Sequence, residues 1–559
     1  MLIVGVNTGE HDGAAAAVLD GQVVAFAEQE RFSRRKHAVG ELPRNSFDYV
    51  LAAIGATVDD VDCFVVPWVD NSEYRRLMPG LDPEVTFSAR LDVPLANCPR
   101  LDAVLAGRYR RRPRVACVSH HLAHASSAFY PSGLDEAAVL VVDGWGDRVS
   151  VSIAHGVERQ LNLLRQAPLV DSLGYFYAAA SDHLGMGVFG EGKAMGLAAY
   201  GEDDLGFDEM FSFDEDIVRL VSRPSGDVWD PTDVSPERVY GHWREIFSRF
   251  RLGPSWDRGD GLPPGVNFAA SVQGTLERSV LRLADIALRV SESRNLCVGG
   301  GVALNCSANG KLSRFSGLAN LFVQPIAHDA GNAIGSALHI AALLGEPRCG
   351  KMRTTALGPE FSDAVLAATL REYGFVPSAL DDPAEVVASL LAAGRMVGYF
   401  QGRMEGGPRA LGQRSILGSA GSVSERDKMN LVKRRAFWRP IAPMLREETA
   451  EIVLENLRCA PFMVVADKVT AFAAEFVPAV VHVDGTARPQ IVSATTQPML
   501  WAILDRLEKL GGGVAVMNTS FNDELEPIVC TPAEAMRTFM GTSMDALAIG
   551  PFVVEKSRS

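Results

Sequence analysis

Cationic side chains crowd into one short stretch of this chain. Arg403, Arg409, Arg414, Arg426, Lys428, Lys433, Arg434, Arg435 and Arg439 lie within residues 403–439, although the protein of 559 residues carries a formal net charge of −14. Such a concentration in an acidic chain calls for an anion to balance it, and the overall acidity argues against a nucleic-acid backbone in that role. The context is Gly402-Arg403-Met404-Glu405-Gly406-Gly407-Pro408-Arg409-Ala410-Leu411-Gly412, entered from apolar Met396 to Phe400. It reads as a strand running into a glycine-rich turn, where backbone N–H groups and planar guanidinium forks converge on phosphate or carboxylate oxygens.

A second constellation is built on histidine. Ser119-His120-His121-Leu122-Ala123-His124 follows the strand-like Val115–Val118. If the segment turns helical at Ser119, His120 and His124 share a face and His121 points elsewhere. Asp143, after the apolar residues 138–142, and Asp329, in Ile326-Ala327-His328-Asp329-Ala330-Gly331-Asn332, are the carboxylates that would complete the set. Two imidazoles and two carboxylates, with a position left for water or ligand, suit Fe(II), Mn(II) or Zn(II) better than Ca(II).

The elements that must hold these groups have a repeated design. Leu2–Val6 leads into the polar loop Asn7-Thr8-Gly9-Glu10-His11-Asp12-Gly13, then Ala14–Leu19, the hairpin signal Asp20-Gly21, and Gln22–Ala27. The pattern recurs as Ala138–Val142, the loop Asp143-Gly144-Trp145-Gly146-Asp147, Val149–Ala154 and His155-Gly156. Leu296-Cys297-Val298 then runs into Gly299-Gly300-Gly301-Val302-Ala303-Leu304-Asn305, where glycines let the backbone approach an anionic ligand closely. Two matching hairpin loops and a glycine-rich turn fit an actin-like ATPase, with nucleotide between duplicated lobes. Glu191-Gly192-Lys193-Ala194-Met195-Gly196 adds a lysine on a glycine-flanked turn, suited to a phosphate or carbonyl oxygen.

Length predicts two or more domains, and a composition 47% hydrophobic and 22% charged excludes disorder. The boundary falls near 345–360. Residues 202–265, rich in Asp, Pro, Trp and Arg, read as an insertion or lid. The remainder predicts a second α/β domain with a helix at Ala384–Ala393, strands at Met396–Phe400 and Val514–Met517, and a capping box from Thr531 to Glu534. Met1 opens directly onto a strand, no apolar run approaches the ~20 residues of a membrane span, and the eight cysteines lack a C-x-x-C pair. These features predict a cytoplasmic protein that engages neither membrane nor nucleic acid.

Taken in order, the motifs resemble the antibiotic-biosynthesis O-carbamoyltransferases, the family of the tobramycin, cephamycin and nodulation-factor carbamoyltransferases. The series runs from His11 and Asp12 through Glu30-Arg31-Phe32-Ser33-Arg34-Arg35-Lys36-His37, His120-x-x-x-His124, Asp143-Gly144, Glu191-Gly192-Lys193, the 299–305 turn and Asp329-Ala330-Gly331. It closes with Gly402–Glu405, Pro408–Gly412 and Arg439-Pro440-x-Ala442-Pro443. Gly406 departs from it, at a position where a bulkier, often aromatic residue is expected.

The resemblance implies an α/β protein with an actin-like (ASKHA) carbamoyl-transfer domain over 1–350 and a YrdC-like carbamoyl-adenylate-forming domain over 351–559. The second would make carbamoyl-adenylate from carbamoyl phosphate and ATP, accompanied by Mg(II), using Arg403, Arg414, Lys433, Arg439 and Arg488, with Arg409 serving either ligand or fold. The first would move the carbamoyl group onto a hydroxylated small-molecule acceptor, a natural product such as an antibiotic, sugar or polyketide, and release AMP. There His11 is the candidate general base, Asp12 its orienting partner, and Lys36 and Lys193 hold phosphate or carbonyl oxygens. Lys193, Gly299, Gly300, Gly301 and Asn305 would line the nucleotide, and His120, His124, Asp143 and Asp329 would hold Fe(II). A homodimer is compatible with this reading. The alternative is an actin-like sugar kinase, which needs neither the 403–439 cluster nor the histidine pair.

Overall fold

Uninterrupted apolar runs make the first strands, because a strand covered on both faces has no polar side to alternate with. The computed structural model describes every residue except 69–85, 214–216, 222–234, 253–261, 457–460, 524 and 557–559. The chain divides into two compact units: Met1–Gln29 with His37–Met352, and Glu30–Lys36 with Arg353–Ser559.

In the first unit, β1 (Leu2–Asn7), β2 (Ala14–Leu19), β3 (Gln22–Glu28), β4 (Cys63–Val66), β5 (Ala89–Arg90) and β6 (Val115–Val118) form a sheet ordered β3-β2-β1-β4-β6-β5. β1 to β3 are antiparallel, whereas β4 and β6 run parallel to β1. Asp20 and Gly21 both take positive φ, 49° and 78°, which gives the β2–β3 hairpin the turn its strand twist requires.

The second sheet repeats that order. β7 (Glu136–Gly146), β8 (Val149–Val157) and β9 (Gln160–Pro168) are an antiparallel meander; β10 (Phe211–Phe213) and β11 (Val218–Leu220) pair apart from it; β12 (Asn295–Gly299) and β13 (Asn320–Val323) extend β7 in parallel. A meander continued by two parallel strands, occurring twice, is the duplicated actin-like architecture.

The segment 143–147 differs from a plain loop: β7 continues to Gly146, with its register to β8 interrupted between Val142 and Gly146. Such an irregularity re-aims side chains without ending the strand. The helix His120–Phe129 is buried along its whole length, and the helix Gly331–Leu343 lies against it. A Cβ on Gly335 would stand 1.9 Å from the Ala123 carbonyl oxygen, and one on Gly5 would stand 1.9 Å from that of Ala333. Glycine at these positions lets β1 and both helices close to backbone contact.

Residues 202–265 are more than a lid. Their described part contains β10, β11 and the helix Pro236–Ser248, capped by Ser235 through the Arg238 N–H. Fully buried Trp243, with Phe207, Phe211 and Phe247, packs around Phe176 of the helix Leu173–His183. Aromatic burial of this size fixes the segment to the unit.

The second unit has a seven-stranded mixed sheet made of β14 (Val397–Phe400), β15 (Arg414–Ser419), β16 (Ala442–Arg446), β19 (Gln490–Val492), β20 (Ala515–Ser520), β21 (Ala546–Ile549) and β22 (Phe552–Glu555). Its order is β19-β16-β20-β15-β14-β21-β22, and β17 (Asp467–Lys468) pairs separately with β18 (Thr486–Ala487). Alternate residues feed two cores. Val397, Tyr399, Leu417, Val516 and Ala548 meet the helices Pro383–Ala392 and Pro498–Lys509; Phe400, Ile416, Met517 and Leu547 meet the helices Asp363–Glu372 and Pro532–Met540. The Thr531–Glu534 capping box forms at the start of the last of these helices.

Residues 30–36 join this unit, which a boundary at 350 does not account for. Arg31 Nη2 donates to the Gly407 carbonyl at 2.6 Å, Arg34 donates to Ile528 and Pro527 carbonyls at 2.7 and 2.6 Å, and Phe32 packs on Met404, Ala410 and Ile528. Among the described residues, no helix is long and apolar enough to cross a membrane.

Candidate functional site

Four side chains from three elements converge in the first unit. His120 and His124 lie one turn apart on the helix His120–Phe129, Asp143 comes from the interrupted part of β7, and Asp329 precedes the helix Gly331–Leu343. One donor atom of each lies within 4.8 Å of all the others, and all four residues are buried. The two imidazole Nε2 atoms are 3.0 Å apart; Asp143 Oδ2 is 3.3 Å from His120 Nε2, and Asp329 Oδ1 is 3.5 Å from both nitrogens.

Burial opposes charge on His120, but the Asp329 and Asp143 carboxylates overcome it and raise its pKa to about 10. Against the same burial cost, those imidazoles hold the Asp329 carboxyl well below the usual range and lower that of Asp143. Two buried carboxylates thus demand positive charge at one point; protonated His120 supplies it without a metal, and a metal that displaces that proton would supply it through both Nε2 atoms. This donor set fits a divalent transition metal. His121 faces away: its Nε2–H donates to the Val149 carbonyl at 3.1 Å, and Ser152 Oγ donates to its Nδ1 at 2.9 Å.

His11 borders this cluster, with Nδ1 4.0 Å from Asp329 Oδ2. Its Nδ1–H donates to Asp12 Oδ2 at 3.0 Å, while His37 Nδ1 meets Asp12 Oδ1 at 2.9 Å. Burial lowers the His11 pKa, yet the hydrogen bond to Asp12 and the charges of Asp329, Asp12 and Asp143 raise it to about 9. Phe189 stacks on His37 at 3.8 Å and meets His11 edge-on at 5.5 Å. Asp12, His37 and Phe189 all take positive φ, near 52°, 61° and 63°. Strain of about 1–3 kcal/mol per residue is a common mark of functional loops. His37 stands in the Glu30–His37 motif without a role read from sequence, and neither Phe189 nor Trp68, whose ring lies 4.2 Å from that of His120, has a sequence signal.

The glycine turn abuts the same cluster. Gly300 has φ 84°, and a Cβ there would sit 2.4 Å from the Val142 carbonyl oxygen. The Gly301 N–H donates to Asp143 Oδ1 at 2.8 Å, and a Cβ on Gly299 would come within 3.0 Å of the His124 carbonyl oxygen. Asn305 caps the helix Cys306–Leu312 by accepting from Ala308 N at 3.0 Å, and its Nδ2 donates to Gln273 Oε1 at 2.9 Å. Lys193 is half-buried on the helix Glu191–Ala198 and makes no ion pair among the described residues.

In the second unit the expected cations divide. Arg414 is fully buried over the Phe400 ring, and its guanidinium donates to the carbonyls of Gln401, Gly402, Gln413 and Pro359 at 2.9–3.1 Å. Lys433 Nζ donates to the Ser520 and Asn522 carbonyls at 2.6 Å and to Asn522 Oδ1 at 2.5 Å. Burial first, and then Arg435, Lys36 and Arg439, push the Lys433 ammonium well below its ordinary pKa. Arg403 donates to the Leu357 carbonyl at 2.5 Å; Arg409, Arg439 and Arg488 are half-buried. Lys36, which the sequence reading set beside His11 and Asp12, belongs to this second unit and is exposed. Glu405 Oε1 accepts the N–H groups of Leu411, Gln413 and Arg414 at 2.9–3.3 Å, so part of the turn's donor capacity is met from within.

Comparison with known proteins bears on this site. Residues 2–338 match the carbamoyltransferase N-terminus family and residues 388–556 match the carbamoyltransferase C-terminus family. The nodulation protein NolNO of Sinorhizobium fredii is 35% identical over 98% of this chain and 80% of its own. The nodulation protein NolO of Bradyrhizobium diazoefficiens is 36% identical over 78% of this chain and 79% of its own. Among solved structures, HypF of T. kodakarensis is similar at 14% identity over 63% of this chain and 48% of its own, with a TM-score of 0.36. Both halves of the chain match, in order and over most of its length, so the protein belongs to the carbamoyltransferase family and is a transferase.

Proposed function

We propose that the protein is an ATP-dependent O-carbamoyltransferase that works through carbamoyl-adenylate. The observation carrying this reading is the presence of two chemically distinct sites in two units: a carboxylate–imidazole cluster beside His11 in the first, and a set of cations around Lys433 in the second. Carbamoyl phosphate and ATP together bring many negative charges, and a cationic, partly buried site suits them. In the second unit Arg403, Arg439 and Arg488 bind carbamoyl phosphate and ATP with Mg(II), while Lys433, whose three N–H groups are taken by Ser520 and Asn522, supports the site from beneath. Arg414, bound to carbonyls, shapes the turn, and Arg409 flanks it. The exposed Lys36 adds charge to this unit. The fold of the unit is read as YrdC-like.

In the first unit, a cation bound by the carboxylate cluster would offset the Asp329 and Asp143 charges that raise the His11 pKa, and the neutral imidazole then accepts the proton of the acceptor hydroxyl. The acceptor oxygen then bonds to the carbamoyl carbon, the bond from that carbon to the adenylate oxygen breaks, and AMP leaves. Asp12 holds the imidazole by its Nδ1–H, which turns Nε2 towards the reacting oxygen. Lys193, the 299–301 turn and Asn305 border the nucleotide. His120, His124, Asp143 and Asp329 would hold the metal, read as Fe(II), which supplies positive charge for a phosphate or carbonyl oxygen. The acceptor is read as a natural-product hydroxyl.

Carbamoyl-phosphate-dependent ATP–pyrophosphate exchange tests the assignment. His11→Ala retains exchange and loses transfer, whereas Arg439→Ala and Lys433→Ala lose exchange. Exchange abolished by His11→Ala and kept by Arg439→Ala would reverse the roles of the units. Mass spectrometry of hydroxylated acceptors, looking for replacement of H by CONH2, identifies the acceptor class; no adduct on any natural product overturns that part.

A further inference from the structure

Asn332 lies one turn after Asp329, with its N–H donating to the Asp329 carbonyl at 2.9 Å, and is fully buried against the histidine pair. Its Nδ2 stands 3.1 Å from His124 Nε2 and 3.5 Å from both ring nitrogens of His120. Its Oδ1 is buried and has no hydrogen-bond partner among the described residues. In this orientation the amide N–H meets His124 Nε2, a nitrogen that can accept it only while no metal is bound there.

A metal takes up that lone pair. With both Nε2 atoms ligating, each neutral imidazole carries its hydrogen on Nδ1. The amide N–H group would then face two committed nitrogens and one donor, with nothing to accept its hydrogens. Amide oxygen and nitrogen are nearly isosteric, and a half-turn about the last side-chain bond exchanges them. Oxygen placed where Nδ2 now stands would lie 3.1 Å from His124 Nε2 and 3.5 Å from His120 Nε2. Donors about 2.1 Å from one ion and at right angles to each other are separated by about 3 Å. The spacing is that of neighbouring ligands, and the position is closer to the ligating nitrogen of His124 than to His120 Nδ1.

We propose that the Asn332 side-chain oxygen is a fifth protein ligand of the metal site, joining His120, His124, Asp143 and Asp329. The inference rests on the metal reading above. Charge favours an amide in this role. Two carboxylates already neutralise a divalent ion, so a neutral oxygen adds a donor without leaving excess negative charge in a buried site. The carbonyl oxygen also tilts the set towards Fe(II) or Mn(II) over four-coordinate Zn(II).

The test uses the full chain, stripped with a chelator and reloaded with Co(II), whose visible absorption reports coordination number. Metal content and affinity are measured by competition, and ligand number by X-ray absorption. Asn332→Ala is expected to lose one oxygen scatterer, shift the Co(II) spectrum towards lower coordination, and weaken binding about ten- to a hundredfold. Asn332→Asp is expected to keep the scatterer count and bind no more weakly than the original. Asn332→Leu, which fills the volume without a donor, replaces the alanine variant if a cavity prevents folding. A purely structural Asn332 would lower the unfolding temperature of the metal-free protein and leave spectrum and ligand number unchanged; that outcome overturns the proposal. Failure of the unmodified protein to bind Co(II) would remove the metal reading itself, and the proposal with it.

Discussion

The backbone N–H of Gly301 donates to Asp143 Oδ1 at 2.8 Å, which leaves Asp143 Oδ2 to face His120 Nε2 at 3.3 Å. A glycine turn at the end of β12 therefore orients a carboxylate from the neighbouring strand β7. The turn and the histidine pair, read from sequence as separate nucleotide and metal motifs, are one structure.

That link predicts the effect of Gly300→Ala. At φ 84°, with the Val142 carbonyl oxygen 2.4 Å from the new Cβ, the turn must shift and take the Gly301 N–H with it. Backbone strain of about 1–3 kcal/mol is expected. Metal affinity, measured under conditions where the variant is fully folded, should fall; unchanged affinity would show that Asp143 needs no support from the turn.

His120→Ala and His121→Ala should separate cleanly. Losing the first removes a donor, and co-purifying metal should drop sharply in elemental analysis. Losing the second leaves the metal donors in place but removes the acceptor of the Ser152 hydroxyl hydrogen and the donor to the Val149 carbonyl, costing about 1–3 kcal/mol in chemical denaturation. Full metal content in His120→Ala would refute the assignment of the helix face.

Stability of the metal-free protein should depend on pH through His328. Burial lowers its pKa, but the ion pair with Glu28 at 3.0 Å raises it to about 9, above the ordinary 6.5. A raised folded-state pKa gives stability that is fully present below pH 6.5 and is lost as pH rises through about 9. Glu28→Gln should flatten that part of the decline. Denaturant titrations at pH 6 to 9 check it, and an unchanged slope in the variant would rule out the pair as its cause.

Arg414 and Arg488 should behave as opposites. Arg414→Ala strands several buried carbonyls and empties the face of Phe400, so a loss of about 3 kcal/mol or more is expected. Arg488, half-buried and without an ion pair among the described residues, should be replaceable by Ala within about 0.5 kcal/mol while KM for an anionic substrate rises. Equal destabilisation of both would place Arg488 in the fold instead of the site.

Much of the architecture was legible because it is written in local patterns. The runs Leu2–Val6 and Ala138–Val142, the Asp20-Gly21 turn and the His120–His124 spacing depend on neighbours along the chain, and they imply the repeated sheets and a shared helix face. The ligand set was reachable for the same reason: Asp143 and Asp329 stand next to the apolar strand and the glycine-led helix that carry them.

Other features depended on contacts between distant residues. Arg31, Arg34 and Lys36 read like any basic run, yet residues 30–36 fold with the C-terminal unit, held by carbonyls at 407, 527 and 528. Arg414 and Arg488 share a charge, and only packing decides that one guanidinium meets carbonyls while the other has no ion pair among the described residues. His37 on Asp12, Phe189 on His37 and Asn332 beside His124 have no signature in spacing. Sequence by itself determined the family, the repeated sheets and the donor types. Tertiary structure decided which donors meet, because burial and a hydrogen bond's short reach select partners by position in space.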